Sequence, residues 1–239
     1  QYIFVDTPGY QLKHLNTLNK NLNKTVKQTL QEVDVIFFLI EPRQMTDVDK
    51  KILQMIPEGT PIILVINKVD RLKEKTKILE LINVFKENRR YKEIIPTSVK
   101  KGNNLNQLLE CARRFLPEQD FIYEEDQITD KNERFLASEI IREKIFRLTG
   151  QELPYSVAVE IEKFEHDGNV RRIFAAIIVE RDPHKPMIIG NKGIRLKEIS
   201  TNARMDMEKL FGGKVWLETW VKVKKGWSDD LRALKSLGL

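Results

Sequence analysis

The sequence predicts an α/β protein with two domains: an open parallel sheet in the first half and a smaller α+β unit in the second. Apolar runs of strand length alternate with stretches of helical periodicity as far as residue 117. The pattern then changes to a helix followed by period-two alternation around a hairpin-type turn at Asp167-Gly168-Asn169. In addition, polar tetrads directly follow two of the apolar runs, at the strand ends where parallel sheets bind ligands.

The first domain, assigned residues 1–118, is predicted from this alternation. Apolar runs at residues 2–5, 33–40, 61–66 and 94–96 indicate buried strands. Apolar residues at helical spacing predict four helices, through Leu15, Leu18, Leu22, Val26 and Leu30; Val48, Ile52 and Met55; Ile78, Leu81, Ile82 and Phe85; and Leu105, Leu108, Leu109 and Ala112. Strands joined by helices pair in parallel through right-handed crossovers, so we expect one parallel sheet in this domain.

The second domain, assigned residues 128–239, follows an acidic linker at residues 119–127. Its first predicted elements are a helix at 131–148, with Gly150 as a stop signal, and strands at 155–161 and 172–179. A helix, a Gly-x-x-Gly turn at 190–193, a helix through Ile199, Ala203 and Leu210, a strand at 215–223 and a short tail helix follow in that order. Trp216 and Trp220 fall on one face of the last strand, and we expect them to pack in the core.

Composition restricts the class of protein. A chain of 239 residues with 41% hydrophobic and 32% charged residues is long enough for two domains with cores of their own. No apolar run approaches the ~18 residues of a membrane span. The single cysteine, Cys111, excludes an intrachain disulfide and is predicted to be a buried thiol.

The tetrads Asp6-Thr7-Pro8-Gly9 and Asn67-Lys68-Val69-Asp70 carry the chemistry predicted for the first domain. Mg²⁺ keeps several waters and takes few direct carboxylates, so we expect Asp6 to hold this ion through water. Gly9 has no Cβ and lets a phosphate approach the backbone. Ionised Asp70 only accepts hydrogen bonds, which matches the two N–H donors on one edge of guanine and disfavours adenine. Asn67 and Lys68 would order the loop and line the base.

These tetrads have the forms DxxG and NKxD and resemble the guanine-nucleotide motifs of the GTPase superfamily. Ser98-Val99-Lys100 resembles the guanine loop of that superfamily, with Val99 in place of the usual alanine. The resemblance implies catalytic roles for Asp6 and Gly9, and it implies nucleotide contacts from Asp6, Thr7, Pro8, Gly9, Asn67, Lys68, Asp70, Ser98, Val99 and Lys100. The superfamily's phosphate loop, G-x-x-x-x-G-K-[ST], does not occur in these 239 residues. We therefore expect the chain to be part of a longer protein, and to be inactive in hydrolysis by itself.

The element order of the second domain resembles a KH domain of the second topological type. Gly190-Asn191-Lys192-Gly193 matches the GxxG loop, which clamps about four backbone nucleotides of single-stranded RNA. Residues 171–225 carry 13 basic and 6 acidic residues, and this clustered positive charge is expected of a phosphate-binding surface. The predicted RNA-binding residues are Ile189, Gly190, Asn191, Lys192, Gly193, Arg195, Lys197 and Arg172. Base selection is expected in the groove between the helix after Gly193 and the strand at 172–179.

A GTPase domain followed by a type II KH domain, together with the string Val215–Leu239, resembles the bacterial Era GTPases. The resemblance implies a cytoplasmic protein, with peripheral association with the inner membrane, that binds GTP, GDP and Mg²⁺. It also implies a monomer that binds the 3′ end of the 16S-type rRNA and assists maturation of the small ribosomal subunit. The alternative is an RNA-binding module whose α/β domain no longer binds nucleotide.

The residue after the DxxG motif distinguishes two ways of placing the attacking water. Ras-like enzymes have a glutamine there, whereas this chain has Tyr10, with Gln11 next. A phenol does not replace the amide, so the resemblance implies the class in which backbone groups, with a K⁺ ion, place the water. Slow intrinsic turnover is then expected.

Overall fold

The computed structural model describes residues 1–10, 17–74, 76–125, 127–149 and 157–230. The first half contains α1 (Thr17–Glu32), β1 (Ile36–Ile40), α2 (Asp47–Met55), β2 (Ile62–Ile66), α3 (Thr76–Lys86), β3 (Tyr91–Pro96) and α4 (Leu105–Arg113). The second half contains α5 (Glu133–Thr149), β4 (Val157–Asp167), β5 (Val170–Val179), α6 (His184–Ile189), α7 (Ile194–Phe211) and β6 (Lys214–Val223). Apart from the strand predicted at residues 2–5, the strands and helices predicted in these ranges are therefore confirmed, with ends shifted by a few residues.

β2 is the central strand of a three-stranded parallel sheet with the order β1-β2-β3. Its five residues, Ile62–Ile66, are all buried, because apolar side chains cover both faces of the sheet. One face packs against α1, α2 and α3 through residues such as Leu30, Ile56 and Phe85. The other face packs against α4, where Cys111 is buried as predicted. The continuous apolar run is what a parallel strand covered on both sides requires.

The predicted strand at residues 2–5 is wrong for this structure. Tyr2–Val5 forms no strand, and the exposed fractions of its four side chains range from 38% for Tyr2 to 67% for Phe4. β1, the sheet edge on this side, pairs only with β2 among the described strands. An apolar run becomes a strand only where a neighbouring strand satisfies its backbone groups, and Tyr2–Val5 has no such neighbour in the described part of the chain.

The second sheet has the order β4-β5-β6, with β4 antiparallel and β6 parallel to the central strand β5. The predicted hairpin turn is confirmed, since β4 ends at Asp167 and β5 begins at Val170. Helices α5, α6 and α7 cover one face of the sheet, and Ile141, Ile177 and Ile199 are fully buried between them.

The prediction that Trp216 and Trp220 pack in the core is wrong. Trp216 is 59% exposed and Trp220 is half-buried, and neither belongs to the core cluster. Alternation along β6 directs Val215 and Val221 towards the helices and therefore directs both tryptophans to the opposite face. Trp227, in a short turn after the strand, is the buried tryptophan.

By its contacts the chain divides into two compact units, Gln1–His14 with Leu22–Glu124 and Leu15–Asn21 with Glu125–Leu239. The finer domain boundaries at residues 118 and 128 stay predictions. No helix in the described ranges is long and apolar enough to cross a membrane. Several predicted features lie outside the described residues: Gln11, Leu15, Asp126, Gly150, Tyr155, Ser156 and the tail helix after residue 230.

The start of α2 is held by a reciprocal cap that generates a stability prediction. The Thr46 hydroxyl accepts a hydrogen bond from the Asp49 N–H at 3.3 Å, and the Asp49 carboxylate accepts one from the Thr46 N–H at 2.7 Å. We expect Thr46→Ala to lower the free energy of unfolding by about 1 kcal/mol, because the cap bond is lost. Urea denaturation measures the change. As a matched control, Thr201→Ala, at an exposed position inside α7, should have little effect or stabilise the chain.

Candidate functional site

The first candidate site lies where the parallel strands of the first unit end. The Asn67 N–H donates to the Ile40 carbonyl at 2.8 Å, and the Thr97 N–H donates to the Ile66 carbonyl at 2.8 Å. These two bonds continue the strand ladders by one residue past β2 and β3. The loops that follow the three strands therefore leave the sheet at one edge, as predicted for the ligand-binding edge.

Asn67 joins the two predicted guanine loops. Its Oδ1 accepts hydrogen bonds from the Lys68 N–H at 2.8 Å and from the Val99 N–H at 3.1 Å. The Val69 N–H also donates to the Thr97 carbonyl at 3.3 Å. One asparagine side chain thus fixes its own loop and the neighbouring Ser98-Val99-Lys100 loop, which agrees with the ordering role predicted for it.

Asp70 is oriented by the serine of the neighbouring loop. Ser98, which is fully buried, donates its hydroxyl to Asp70 Oδ1 at 2.5 Å. This hydrogen bond lowers the pKa of the Asp70 carboxyl, and the charges of Arg71 and Lys100 lower it further. The carboxylate is therefore ionised at neutral pH and acts only as an acceptor, as guanine recognition requires.

Lys68 has a partner that the motifs did not indicate. Its ammonium group forms an ion pair with the carboxylate of Glu41, the first residue after β1. The sequence did contain a usable signal, because Glu41 follows an apolar strand directly, as Asn67 does. Glu41 thus belongs to the same edge of the sheet as the predicted guanine loops.

The Asp6-Thr7-Pro8-Gly9 tetrad is placed differently from the guanine loops. It lies in an irregular segment, with Asp6, Thr7 and Gly9 exposed, and it lines a cleft of about 840 Å³ beside α1 and β1. In the described part of the chain, this tetrad forms no hydrogen bond with the guanine loops. The structure therefore brings Asn67, Lys68, Asp70, Ser98, Val99 and Lys100 together, and it leaves the roles of Asp6, Thr7, Pro8 and Gly9 as predictions.

The second candidate site is the turn between α6 and α7, where the structure requires glycine at position 190. Gly190 has φ 72° and ψ −178°, a conformation that is essentially restricted to glycine. A Cβ at this position would lie 2.7 Å from Cβ of Arg195. Gly193 has φ 79°, but a Cβ there would meet nothing within 4 Å. Glycine is therefore required at position 190 by both backbone conformation and close packing, and at position 193 by backbone conformation alone.

The middle of this turn is open to solvent. Asn191 and Lys192 are exposed, and Lys197 is exposed on the first turns of α7. Ile194 is 65% exposed directly after the turn, an exposed aliphatic group that the predicted site did not include. Ile189 instead packs partly against the core, and the Arg195 guanidinium donates to the Met187 carbonyl at 2.5 Å. Arg195 therefore braces α6 against α7, in addition to any role towards RNA.

Two predictions about the groove beside this turn need correction. β5 is the central strand, and its helix-facing residues Ile173, Ala175, Ile177 and Val179 are fully buried, so they are closed to a ligand. The open strand beside α7 is the edge strand β6, where the Ser200 and Thr219 hydroxyls share a hydrogen bond of 2.7 Å. Arg172 alternates with buried Ile173 and pairs with Asp167, so it lies on the sheet face opposite the helices, away from the GxxG turn.

Two family models match separate parts of the chain. Residues 1–118 match the family model described as the elongation factor Tu GTP binding domain, and residues 152–228 match the KH domain model. GTPase Era of Chromobacterium violaceum is 49% identical over 239 residues, which are 100% of this chain and 81% of that protein. GTPase Era of Nitrosomonas eutropha is 49% identical over 238 residues, covering 100% of this chain and 80% of that protein.

Two solved structures are similar over nearly the whole chain. An Aquifex aeolicus Era variant bound to GDP and AlF₄⁻ is 38% identical, with a TM-score of 0.91 over 98% of this chain and 80% of that one. Era in complex with MgGDPNP and nucleotides 1506–1542 of 16S ribosomal RNA has the same identity, TM-score and coverage.

The different surroundings of the two turn glycines generate a prediction. Gly193→Ala should cost roughly 1–2 kcal/mol of unfolding free energy, because it places a Cβ in the left-handed region without a clash. Gly190→Ala should cost more, because it adds overpacking against Arg195, typically a further ~1–3 kcal/mol. Urea denaturation of the two variants and the parent chain compares them. Equal costs, or a larger cost at position 193, would contradict the steric argument.

Proposed function

Because this chain belongs to the Era family of GTPases, we propose that it is a guanine-nucleotide switch that binds the 3′ end of small-subunit rRNA and assists maturation of the small ribosomal subunit. The proposal has a nucleotide half, guanine-nucleotide binding, and an RNA half, rRNA binding. The nucleotide half rests on the two hydrogen-bonded loops at the ends of β2 and β3. Asn67 ties the loops together, and Ser98 aims the carboxylate of Asp70. This arrangement presents an ionised acceptor whose position is set before a base arrives.

Hydrolysis of GTP to GDP and phosphate is the activity of this family. Mg²⁺ takes one or two carboxylates together with substrate phosphates, and this fits the single exposed carboxylate of Asp6 better than it fits a dedicated protein cage. Asp6 would hold the ion through water, and Gly9 would face the terminal phosphate. In the hydrolytic step, backbone groups would place the attacking water, because Tyr10 stands where Ras-like enzymes have glutamine.

The RNA half of the proposal rests on the Gly190–Gly193 turn. Its exposed middle residues and the adjacent Lys197 form a cationic, solvent-accessible corner, and the edge strand β6 lies beside α7. A KH loop of this kind clamps the backbone of single-stranded RNA, and the bases lie in the adjoining groove. The similar Era structure, which binds nucleotides 1506–1542 of 16S ribosomal RNA, supports the choice of the 3′ end of the 16S-type rRNA as the RNA.

We also propose three further properties of this protein. The protein binds a K⁺ ion beside the nucleotide, it is monomeric, and it is cytoplasmic with peripheral contact to the inner membrane. Sedimentation of the purified protein tests the monomer, and flotation with lipid vesicles tests the membrane contact.

The guanine half predicts a switch of nucleotide preference. In the full natural-length protein, we expect guanine nucleotides to be preferred over adenine nucleotides by at least ~100-fold, because adenine leaves the aimed carboxylate unpaired. Asp70→Asn should shift the preference towards xanthine nucleotides, since an amide both accepts and donates hydrogen bonds. Competition between GTP, XTP and ATP for a fluorescent nucleotide measures both effects.

Asp120→Asn serves as the matched control, because it makes the same chemical change at an exposed aspartate of the same unit. It should leave the preference unchanged. Equal affinity of the parent protein for GTP and ATP would contradict the nucleotide half and would favour an RNA-binding module that has lost its nucleotide.

The RNA half predicts the effect of charge in the turn. Replacing Asn191 and Lys192 together by aspartate should weaken binding of a 3′-terminal rRNA oligonucleotide at least ~10-fold, because carboxylates would face phosphates. Both positions are exposed, and aspartate tolerates the left-handed backbone of Lys192 (φ 49°), so folding should persist. Fluorescence anisotropy at two salt concentrations measures affinity, and circular dichroism checks the fold.

A second double variant, Met205→Asp with Lys209→Asp, makes the same total change in charge on another exposed part of α7. It should reduce binding much less than the turn variant. Similar losses for both variants would show that net charge, rather than the turn, determines RNA affinity.

A further inference from the structure

Glu41 stands out because no nucleotide motif includes it, although it lies at the same edge of the sheet as the guanine loops. It follows the last residue of β1, and the Ile40 carbonyl beside it accepts the Asn67 N–H at 2.8 Å. The residue before Glu41 is therefore hydrogen-bonded to the residue before Lys68. The ion pair between Glu41 and Lys68 spans two neighbouring strand ends.

The backbone of Lys68 is fixed independently of that ion pair. Lys68 has φ 64° and ψ 32°, a left-handed conformation that is uncommon for residues other than glycine. Its N–H donates to Asn67 Oδ1 at 2.8 Å. The backbone conformation therefore fixes the position of the Lys68 Cα, and the ion pair with Glu41 fixes the position of its ammonium group.

Other partners for Glu41 are weaker or already engaged. Arg43 donates to Asp49 at 2.6 Å and to the Gln44 carbonyl at 2.9 Å. Lys68 has the main effect in lowering the pKa of the Glu41 carboxyl, with smaller effects from Arg71 and Arg43. Glu41 is thus ionised at neutral pH and directed to Lys68.

The expected energetic effect is limited, because both side chains are about half exposed: 42% for Lys68 and 51% for Glu41. Exposed ion pairs contribute little to folding stability. A lysine side chain has large rotamer freedom, however, and restricting that freedom before a ligand binds removes part of the entropic cost of binding. The pair is therefore suited to presenting Lys68 rather than to stabilising the domain.

We propose that Glu41 is a positioning residue that holds Lys68 in place for the guanine nucleotide. This inference rests on the nucleotide half of the proposed function. It predicts that Glu41→Gln in the full-length protein weakens GDP affinity by about 1.4- to five-fold, the range that exposed ion pairs span. Glu41→Asp, which keeps the charge on a shorter side chain, should restore part of the loss.

A double-mutant cycle separates positioning from an independent effect. Affinities for a fluorescent GDP are measured for the parent protein, Glu41→Gln, Lys68→Gln and the double variant. If Glu41 acts through Lys68, the Glu41→Gln change has no further effect once Lys68 is replaced. Equal fold-losses in both backgrounds, or no loss for Glu41→Gln in the parent, would overturn the proposal.

Salt dependence provides a readout that a purely structural role would not change. The difference between the parent and Glu41→Gln should disappear near 1 M salt, where an exposed pair is screened. This measurement needs only the single variant, so it holds even if Lys68→Gln does not fold. A difference that persists in high salt would contradict an electrostatic positioning role.

The matched control is Glu93→Gln, which breaks another exposed ion pair of the same unit, with Arg114 at 3.2 Å. It should leave GDP affinity unchanged. A parent protein without any guanine preference would refute the proposed function itself. A parent with that preference, but with additive effects of Glu41 and Lys68, would refute only the role of Glu41.

Discussion

Parallel pairing of β2 with a strand on each side determines where the loops of the first unit can act. Ile62–Ile66 are buried on both faces, and their pairing with β1 and β3 sets the register of the sheet. The hydrogen bonds from Asn67 to Ile40 and from Thr97 to Ile66 extend that register into the loops. The packing of the core therefore determines the positions of the polar groups at this edge of the sheet.

The second unit positions its site by a different physical means. Its turn depends on the absence of a side chain at Gly190, where the start of α7 approaches within van der Waals distance. Arg195 then braces the same corner by donating to the Met187 carbonyl. The first unit thus fixes polar side chains by hydrogen bonds between loops. The second unit fixes the backbone of a turn, and the exposed side chains of Asn191 and Lys192 do not hold that turn in place.

Local features of both sites could be predicted from sequence. A tetrad after an apolar run marks a strand end, and glycines spaced three apart between two helical patterns mark the turn. Features that depend on distant neighbours could not be predicted in this way. Tyr2–Val5 has the composition of a strand but lacks a paired neighbour, and Trp216 faces the side of its sheet that the helices leave open. Glu41 shows the same limit, because its partner Lys68 follows a different strand. The position of Arg172 was predictable locally, since period-two alternation with buried Ile173 places it on the opposite face of the sheet.

The exposed, unpaired Tyr2–Val5 segment is suited to pairing with another extended strand. Its four consecutive uncharged residues expose large apolar side chains to solvent. Such a stretch is a template for strand pairing between separate molecules, because identical segments can satisfy each other's backbone and bury the same side chains. Tyr2–Val5 therefore has the composition and the exposure to accept an added strand, whether from the same chain or from another molecule.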